Sequence, residues 1–425
     1  MQKGLETRLI IHDILKILKN HKSTLDQILI NKVDNNFSSS DRKMIMNVVL
    51  ASMRYNFLVE KIIKEYSKKK INYNDNYFLL LSSITQLLIL NFKDFAVINS
   101  TVEMAKLKKL NTSHKFINAI LRNINRNKDK INFQTYNFDK LPKWFTLRSK
   151  DWSLRKKNDF MRTILKEPNI HLVFKNKESL NSFDFDIIKS SSQSAFLKKN
   201  ISVKKIPDYD KGTWWVQDFS SMLPIYLIKK IKNKVAIDLC AAPGGKSFQL
   251  LKYGAKLESY EINKNRANIM IENLKRLKFD MNITIRDPLK INKKNHYDII
   301  LIDPPCSSIG TIRKNPEIFF RQSIPDLDKL KKIQKNLLEK AKKLLKKNGV
   351  IIYTVCSFLK EEGEDQITSF LKKNSNFNIS KFDKKADKEI SKMINRKGFF
   401  YTIPFELENG LLIDGYFAAI IKKND

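Results

Sequence analysis

Two thiols and a carboxylate stand in short motifs in the carboxyl-terminal half of the chain. Asp303 and Cys306 belong to DPPCSS at 303–308, and Cys356 belongs to VCS at 355–357. A thiolate that adds to carbon 6 of a pyrimidine makes carbon 5 nucleophilic, so that carbon 5 can take a methyl group from a sulfonium donor. A carboxylate beside the thiol would stabilise that adduct through N3 and the amino group of cytosine. These residues predict methylation at carbon 5 of a pyrimidine, and they leave open which thiol attacks.

A cysteine hydrolase is the competing interpretation of the same thiols. It would need a histidine as the base that activates the nucleophile. The chain contains five histidines, of which only His296 lies near these motifs, so the pattern disfavours a hydrolase. An unperturbed thiol has a pKa of about 8.5, and only the thiolate is a good nucleophile. We expect helix N-termini and the basic residues Arg313 and Lys314 to lower the pKa of the attacking thiol.

A glycine-rich turn precedes both thiol motifs, in VAIDLCAAPGGKS at 235–247. The first five residues have the pattern of a buried strand, and a helix is predicted from Lys246 onward. Glycines between them let the backbone approach a ligand, and the helix N-terminus offers free N–H groups. A phosphate-binding P-loop is disfavoured because Cys240 stands where that motif needs its first glycine. The sequence therefore predicts a nucleotide-type binding turn, with an ordinary strand-to-helix turn as the alternative.

Acidic residues end or follow successive predicted strands, at Asp238, Glu261, Asp287 and Asp303. Glu261 is placed to accept both hydroxyls of a ribose, and Asp287 could accept from an adenine amino group. Taken alone, each such residue is more often a helix N-cap. As a set beside the glycine turn, they predict an adenosine-containing ligand.

The elements that would position these residues alternate between strand and helix from residue 235 onward. That alternation predicts an α/β domain with a doubly wound, mostly parallel sheet. A closing antiparallel hairpin is predicted from 399–404 and 416–421, and a loop or insertion at 372–397. The predicted strands are 235–239, 257–262, 281–286, 297–302 and 349–355, and the predicted helices are 264–277, 327–347 and 361–372.

The amino-terminal part has apolar residues at helical spacing and predicts a bundle of about six helices. We expect three domains, with residues 1–130 as the bundle, 131–222 as a linker and small connecting subdomain, and 223–425 as the catalytic domain. The segment 142–166 interleaves basic and aromatic residues, which suits single-stranded RNA, although aromatic packing between domains would produce the same composition. Residues 127–140 are predicted as linker and 190–194 as a polar interruption.

The charge of the whole chain favours a polyanionic partner. Lysine and arginine number 80 against 44 acidic residues, which gives a net charge of +36. Nucleic acid is the usual partner of such a surface, and a merely solvated basic face is the alternative. The predicted protein is cytosolic, since no apolar run approaches a membrane span and no signal peptide is evident. We expect it to be a monomer. Three cysteines without CxxC spacing predict neither a disulfide framework nor a metal site.

The sequence resembles the bacterial ribosomal RNA cytosine-5 methyltransferases of the RsmB type. The resemblance is carried by DLCAAPGGKS at 238–247, DPPCSSIGTIRKNPE at 303–317 and TVCS at 354–357, in that family's order and spacing. It covers nearly the whole chain. The amino-terminal bundle resembles the NusB-like RNA-binding domain of this type, and GTWWVQDFSS at 212–221 resembles the segment before its catalytic domain. The expected architecture is therefore a NusB-like bundle followed by a Rossmann-like methyltransferase domain.

The resemblance implies S-adenosylmethionine as co-substrate and a cytosine of small-subunit (16S) ribosomal RNA as the methylated base. It assigns attack on the base to Cys356 and product release to Cys306, with Asp303 as the third catalytic residue. In two places the sequence departs from the family: Asp is usual at Glu261, and a Gly-Asp-Gly-like turn is usual around Asp287. The implied donor-binding residues are Cys240, Ala241, Ala242, Pro243, Gly244, Gly245, Lys246, Glu261, Asp287 and Asp303.

Two other functions stay open at this stage. The basic charge and the helical bundle also fit an RNA-binding assembly or antitermination factor whose catalytic half is vestigial. The intact Asp303, Cys306 and Cys356 disfavour that function. The same methylation chemistry could also act on transfer RNA or on 23S ribosomal RNA.

Overall fold

The computed structural model describes residues 3–21, 24–33, 37–68, 72–133, 141–323, 325–382 and 388–424. Part of the predicted linker, 134–140, and part of the predicted insertion, 383–387, lie outside these residues. The chain forms two compact units, which are described separately. The first comprises Met1–Lys166 and Ile312–Ile324, and the second comprises Glu167–Thr311 and Pro325–Asp425. The three-domain division at 130 and 222 stays a prediction.

The amino-terminal unit is helical, as its apolar spacing predicts. Side chains of Ser38, Asn74 and Ser113 cap three of its helices by accepting from backbone N–H groups, which satisfies donors that the first turn leaves free. Helix α5 is the central one, since all but two of its residues are buried. The helices are α1 (Lys3–Asn20), α2 (Leu25–Lys32), α3 (Ser39–Arg54), α4 (Asn56–Ser67), α5 (Asp75–Leu88), α6 (Asp94–Ala105), α7 (His114–Arg126), α8 (Lys143–Thr146) and α9 (Leu154–Leu165).

The second unit begins with a small antiparallel sheet of strand order β2-β3-β1-β4. The polar interruption predicted at 190–194 is the tip of the β2–β3 hairpin, where 192–193 form the turn between the two strands. At this tip the hydroxyl of Ser194 lies 2.9 Å from that of Ser190 and 2.6 Å from that of Ser191. The elements are β1 (His171–Phe174), α10 (Lys177–Asn181), β2 (Ile187–Ser191), β3 (Ser194–Leu197) and β4 (Trp214–Val216).

The main sheet of the second unit has eight strands in the order β10-β14-β9-β8-β5-β6-β7, with β11 also paired to β14. Its first elements alternate as predicted, and two of them match the predicted residue ranges. They are α11 (Phe219–Tyr226), β5 (Val235–Asp238), α12 (Gly245–Lys252), β6 (Lys256–Glu261), α13 (Lys264–Leu277), β7 (Asn282–Ile285) and β8 (Tyr297–Ile302).

Strands β8, β5, β6 and β7 run parallel, and so does β9 beside β8. Strand β14 is antiparallel to β9 and pairs with β10 and β11 at the carboxyl-terminal edge. The predicted loop or insertion at 372–397 contains a strand, β10, and a short helix, α17, that the sequence did not indicate. The remaining elements are α14 (Glu317–Phe320), α15 (Leu327–Leu344), β9 (Leu345–Val355), α16 (Glu364–Lys373), β10 (Phe377–Ser380), α17 (Lys388–Lys392), β11 (Phe400–Thr402), β12 (Phe405–Glu406), β13 (Leu412–Ile413) and β14 (Tyr416–Lys423).

This strand order decides where a ligand can bind. Strand β5 lies between β6 on one side and β8 on the other, so the chain reverses its winding direction there. In open parallel sheets, ligands bind outside the carboxyl ends of the strands at that switch point. The glycine turn follows β5 directly, and the two thiol motifs follow β8 and β9, on the same side of the switch point.

Residues 312–324 pack within the amino-terminal unit, although the chain on either side of them belongs to the second unit. Phe320 is fully buried in the helical core, and its ring lies 4.7 Å from Nζ of Lys19. The N–H of Gln322 donates to the carbonyl of Lys19 at 3.1 Å. The buried guanidinium of Arg54 donates to the carbonyl of Arg313 at 3.0 Å. The helical core thus includes a segment that residues 167–311 separate from the rest of its unit. Across the described ranges, we find no helix with the length and apolarity that a membrane span requires.

Candidate active site

The buried carboxylate of Asp238 stabilises the glycine turn after β5 through two hydrogen bonds. The Ser247 hydroxyl donates to Oδ2 of this carboxylate at 2.6 Å, and the N–H of Cys240 donates to Oδ1 at 3.2 Å. Burial raises the pKa of Asp238 to about 7, although both hydrogen bonds act in the opposite direction. Asp238 thus ties both ends of the turn together, and at 1% exposure it is not open to a ligand.

Gly244 is the residue of this turn that no other amino acid can replace without strain. Its φ is +111°, and a Cβ there would lie 2.3 Å from the ring of Phe248. A Cβ on Gly245 would come within 3.2 Å of the Gln217 side chain. The two glycines therefore leave a concave stretch of bare backbone at the start of α12, of the kind that admits a close-lying ligand.

Glu261 ends β6 beside this turn and is 3% exposed. Its carboxylate accepts from the N–H groups of Ala242 at 3.2 Å and Asn263 at 2.9 Å. Arg266 lies 3.8 Å from the same carboxylate, and it also donates to the carbonyl of Ala242. The structure thus brings Glu261 against the turn, as the sequence predicts.

Exposed apolar side chains lie at the ends of β6 and β7, and they were not predicted as site residues from the sequence. Ile262 is 69% exposed, Ile285 43% and Leu289 39%. Asp287 lies between the last two and caps a short 3₁₀ turn by accepting from the N–H of Leu289 at 2.9 Å. The available signal was the apolar residue directly after Glu261, where a solvated loop would be expected to be polar.

Asp303, which follows β8, is paired with Lys246 at the start of α12. Nζ of Lys246 donates to Oδ2 of Asp303 at 2.6 Å, and the Thr354 hydroxyl donates to Oδ1 at 3.2 Å. Burial acts to lower the pKa of Lys246, but the Asp303 carboxylate outweighs burial and raises it. Nζ also lies 5.4 Å from the centre of the buried Tyr416 ring. Thr354 and Tyr416 were not identified from the sequence, because only the β8–β9–β14 pairing brings them here.

The two thiols of the DPPCSS and VCS motifs lie side by side, with 3.3 Å between the Sγ atoms of Cys306 and Cys356. The Ser308 hydroxyl lies 3.5 Å from Cys356 Sγ and 3.9 Å from Cys306 Sγ. The hydrogen bond from Cys306 lowers the pKa of the Cys356 thiol, and Ser308 and the charge of Lys246 act in the same direction. The same bond, burial and the neighbouring charges raise the pKa of Cys306. The thiolate therefore forms first on Cys356.

Lys246 is a cation that acts on a thiol of this site, and the sequence had suggested Arg313 and Lys314 instead. Arg313 is 1% exposed in the amino-terminal unit, where its Nε donates to the carbonyl of Lys166 at 3.5 Å. The charge of Lys246 is among the causes that lower the pKa of the Cys356 thiol. Proximity in sequence suggested Arg313, but Arg313 belongs to the amino-terminal unit, whereas both cysteines belong to the second unit.

Glu362 is a buried carboxylate bonded to Ser307, the residue after Cys306, and it was not predicted as a site residue from the sequence. It accepts from the N–H of Ser307 at 2.8 Å and from the Ser307 hydroxyl. Nε2 of Gln334 lies 3.1 Å from this carboxylate and 3.1 Å from the carbonyl of Pro305. The sequence predicts only a helix in this region, and a helical pattern does not indicate that the carboxylate of Glu362 is buried.

Residues 225–421 match the family described as 16S rRNA methyltransferase RsmB/F, and residues 5–126 match the NusB family. The chain joins an RsmB/F methyltransferase to a NusB-family region. Both parts of the predicted architecture are thus confirmed. The thiol pair, Asp303 and the glycine turn all lie within the RsmB/F part, and none lies in the NusB part.

Curated relatives match over most of their length. "Ribosomal RNA small subunit methyltransferase B" of Photorhabdus laumondii is 26% identical over 87% of this chain and 92% of its own. The protein of the same name from Proteus mirabilis is 27% identical over 88% of this chain and 93% of its own. Among solved structures, "PH0851" has a TM-score of 0.70 at 20% identity, over 100% of this chain and 99% of its own. At 20% identity, the similarity to this solved structure shows the fold alone.

Proposed function

We propose that this chain transfers a methyl group from S-adenosylmethionine to carbon 5 of a cytosine in 16S ribosomal RNA, through a covalent adduct on Cys356. The observation that carries the proposal is the 3.3 Å separation of the Cys306 and Cys356 sulfurs beside the Lys246–Asp303 pair. A methyl transfer to a heteroatom would need no thiol. Carbon 5 of cytosine does need one, because it is a poor nucleophile until a thiolate has added to carbon 6.

The residues around the glycine turn fit the methyl donor. The backbone at Gly244 and Gly245 leaves room for the amino-acid part of S-adenosylmethionine, and Glu261 can accept from the ribose hydroxyls. The exposed side chains of Ile262 and Leu289 suit the two faces of an adenine ring. The adenine amino group can donate a hydrogen bond to the Asp287 carboxylate. The other residues of the turn, Cys240, Ala241, Ala242, Pro243 and Lys246, complete the proposed donor pocket.

In the proposed reaction, the Cys356 thiolate forms a bond to carbon 6 and the ring electron pair moves to carbon 5. Carbon 5 then takes the methyl group, and the neutral thioether S-adenosylhomocysteine leaves. Asp303 accepts from the cytosine amino group and holds the ring in place. Loss of the carbon 5 proton restores the ring double bond and expels the Cys356 thiolate.

Cys306 is the proposed acceptor of the carbon 5 proton. While Cys356 is a thiolate, its charge helps to keep the pKa of Cys306 raised. Once Cys356 is bonded to carbon 6, that charge is gone, and the Cys306 thiol more easily releases its proton to water and becomes the thiolate that accepts the carbon 5 proton. The pair can therefore exchange roles within one turnover, with Cys356 ionised before attack and Cys306 ionised before release.

Small-subunit ribosomal RNA is the proposed substrate because the curated relatives carry that name and because the chain has a net charge of +36. The test is incubation of the purified chain with unmethylated 16S rRNA and S-adenosylmethionine, followed by mass-spectrometric mapping of methylated nucleotides. One new 5-methylcytosine is the expected result. No methylation, together with no calorimetric binding of S-adenosylmethionine, would instead favour an assembly factor with a vestigial catalytic half. Methylation of transfer RNA or 23S rRNA alone would correct the substrate.

A further inference from the structure

Glu362 is fully buried, and its position links the two thiol-bearing segments. It stands six residues after Cys356, in the 3₁₀ turn Lys360–Glu362 that leads from β9 towards α16. Its carboxylate accepts two hydrogen bonds from Ser307, the residue after Cys306. One side chain thus spans the gap between the segment of Cys356 and the segment of Cys306.

The donors around this carboxylate are neutral. Within the described ranges, neither a lysine nor an arginine forms an ion pair with Glu362. Burying a carboxylate is costly unless hydrogen bonds replace its water, and charge-assisted bonds of this kind are about twice as strong as neutral ones. Here the compensating donors are the N–H and hydroxyl of Ser307 and the amide of Gln334. A neutral apolar residue would avoid that cost, so the carboxylate has to be explained by what it holds.

What it holds is the backbone that carries Cys306. Gln334 donates both to Glu362 and to the carbonyl of Pro305, so residues 305 and 307 on the two sides of Cys306 are bonded to one cluster. The cluster is itself attached to β9, because the Tyr353 hydroxyl donates to the backbone carbonyl of Glu362 at 2.7 Å. A bidentate carboxylate leaves the turn little freedom to slide along the strand end.

We propose that Glu362 is a positioning residue, which fixes the turn at 305–307 against the end of β9 so that both sulfurs face one substrate base. This inference deepens the proposed function and rests on it. Glu362 does not reach the base itself, and it acts through Ser307 and Pro305. A small displacement of a reacting group can cost on the order of a hundredfold in rate, so loss of the carboxylate should slow turnover without weakening RNA binding.

The charge of Glu362 supplies a readout that does not need RNA. The hydrogen bond with Cys356 contributes most to the raised pKa of Cys306, and burial, the Cys356 charge and the Glu362 charge add to it. Removal of the Glu362 charge should therefore make Cys306 easier to ionise. A residue that merely filled space in the core would leave the pH dependence of that thiol unchanged.

The experiment compares Glu362→Gln with Glu364→Gln, two isosteric changes two residues apart. Glu364 is the control because its carboxylate pairs with Lys397, which belongs to neither thiol motif. Alkylation of Cys306 and Cys356 by iodoacetamide is followed against pH by peptide mass spectrometry, on the full chain without RNA. Only Glu362→Gln should shift the Cys306 profile to lower pH. In methylation assays, it should lower kcat by about tenfold to a hundredfold with KM for RNA within about twofold.

Identical alkylation and kcat values for the two variants would overturn the inference. If Glu362→Gln fails to fold, Ser307→Ala tests the same link from its other end, and it should lower kcat by several-fold with KM unchanged. An unchanged kcat in that variant would also overturn the inference. If the unmodified chain methylates no RNA, the proposed function fails. The alkylation profiles then still decide whether Glu362 controls the Cys306 thiol.

Discussion

At the scale of single residues, the two sulfurs are chemically unequal although they lie side by side. The hydrogen bond between Cys306 and Cys356 lowers the pKa of one thiol and raises that of the other. Motif spacing cannot reveal this difference, because it depends also on Lys246 and Glu362, which lie outside both thiol motifs. The structure thereby provides a physical reason for the order of roles that the family resemblance implies.

The two cysteines should respond differently to serine substitution. Cys356→Ser should abolish both turnover and covalent trapping on RNA that contains 5-fluorocytosine, because no thiolate can then add to carbon 6. Cys306→Ser should accumulate a protein–RNA adduct during turnover, because release is slowed. Denaturing gels of each variant with labelled RNA measure the adduct. Trapping by Cys356→Ser but not by Cys306→Ser would reverse the assignment.

The donor pocket makes a second residue-scale prediction, at Ile262. Ile262 is 69% exposed without a ligand, and contact with adenine would bury much of it. Replacement by serine should remove about 1–1.5 kcal/mol of apolar contact, which corresponds to roughly a tenfold higher Kd for S-adenosylmethionine. Calorimetry measures that Kd. Ile30→Ser is the matched control, since Ile30 is 79% exposed on α2 and should leave the Kd unchanged.

Asp238 makes a prediction about stability and pH. Its folded-state pKa is raised to about 7, well above the ordinary value of 3.8, so the folded chain holds a proton that the unfolded chain has lost. Between pH 4 and 7 this group should therefore reduce stability as pH rises, by up to about 1.4 kcal/mol per pH unit. Denaturant melts of Asp238→Asn should show a shallower fall over that window. Parallel pH curves for the two proteins would contradict the burial argument.

At the scale of elements, the sequence predicted most where periodicity and burial agree. Helix α13 and strand β8 match the predicted ranges, because each is a clean apolar pattern between turn residues. The prediction failed at α17, in a segment that was expected to be a loop or insertion. It also failed at β10, which lies in a lysine-rich stretch. Partners that come from distant strands, such as Thr354 and Tyr416, leave no local signal.

The close approach of two segments at Gly310 gives an element-scale prediction. A Cβ on Gly310 would lie 1.8 Å from the carbonyl oxygen of Gly415, and these glycines are also joined by a hydrogen bond of 2.9 Å. Gly310→Ala should therefore destabilise the second unit by several kcal/mol and reduce activity. Thermal unfolding measures the loss. Gly4→Ala on α1, where a Cβ would meet only Arg8 at 3.5 Å, should be neutral or slightly stabilising.

At the scale of the whole molecule, charge and family membership point to the same class of partner. The net charge of +36 predicts that RNA affinity depends steeply on salt, since each neutralised phosphate releases counterions. With six to ten phosphate contacts, Kd should rise by about three to five orders of magnitude between 50 and 200 mM salt. Filter binding at several salt concentrations measures the slope. A flat dependence would show that most of the lysines do not face RNA.

The path of the chain limits how this protein can be divided. Because residues 312–324 complete the helical core, the polypeptide crosses between the units at 166, 311 and 324, and no single cleavage separates them. A fragment expressed from residue 167 onward would present Phe319 and Phe320, which are buried in the intact chain, to solvent. Such a truncation would be prone to aggregate, so an inactive fragment would say little about where catalysis resides.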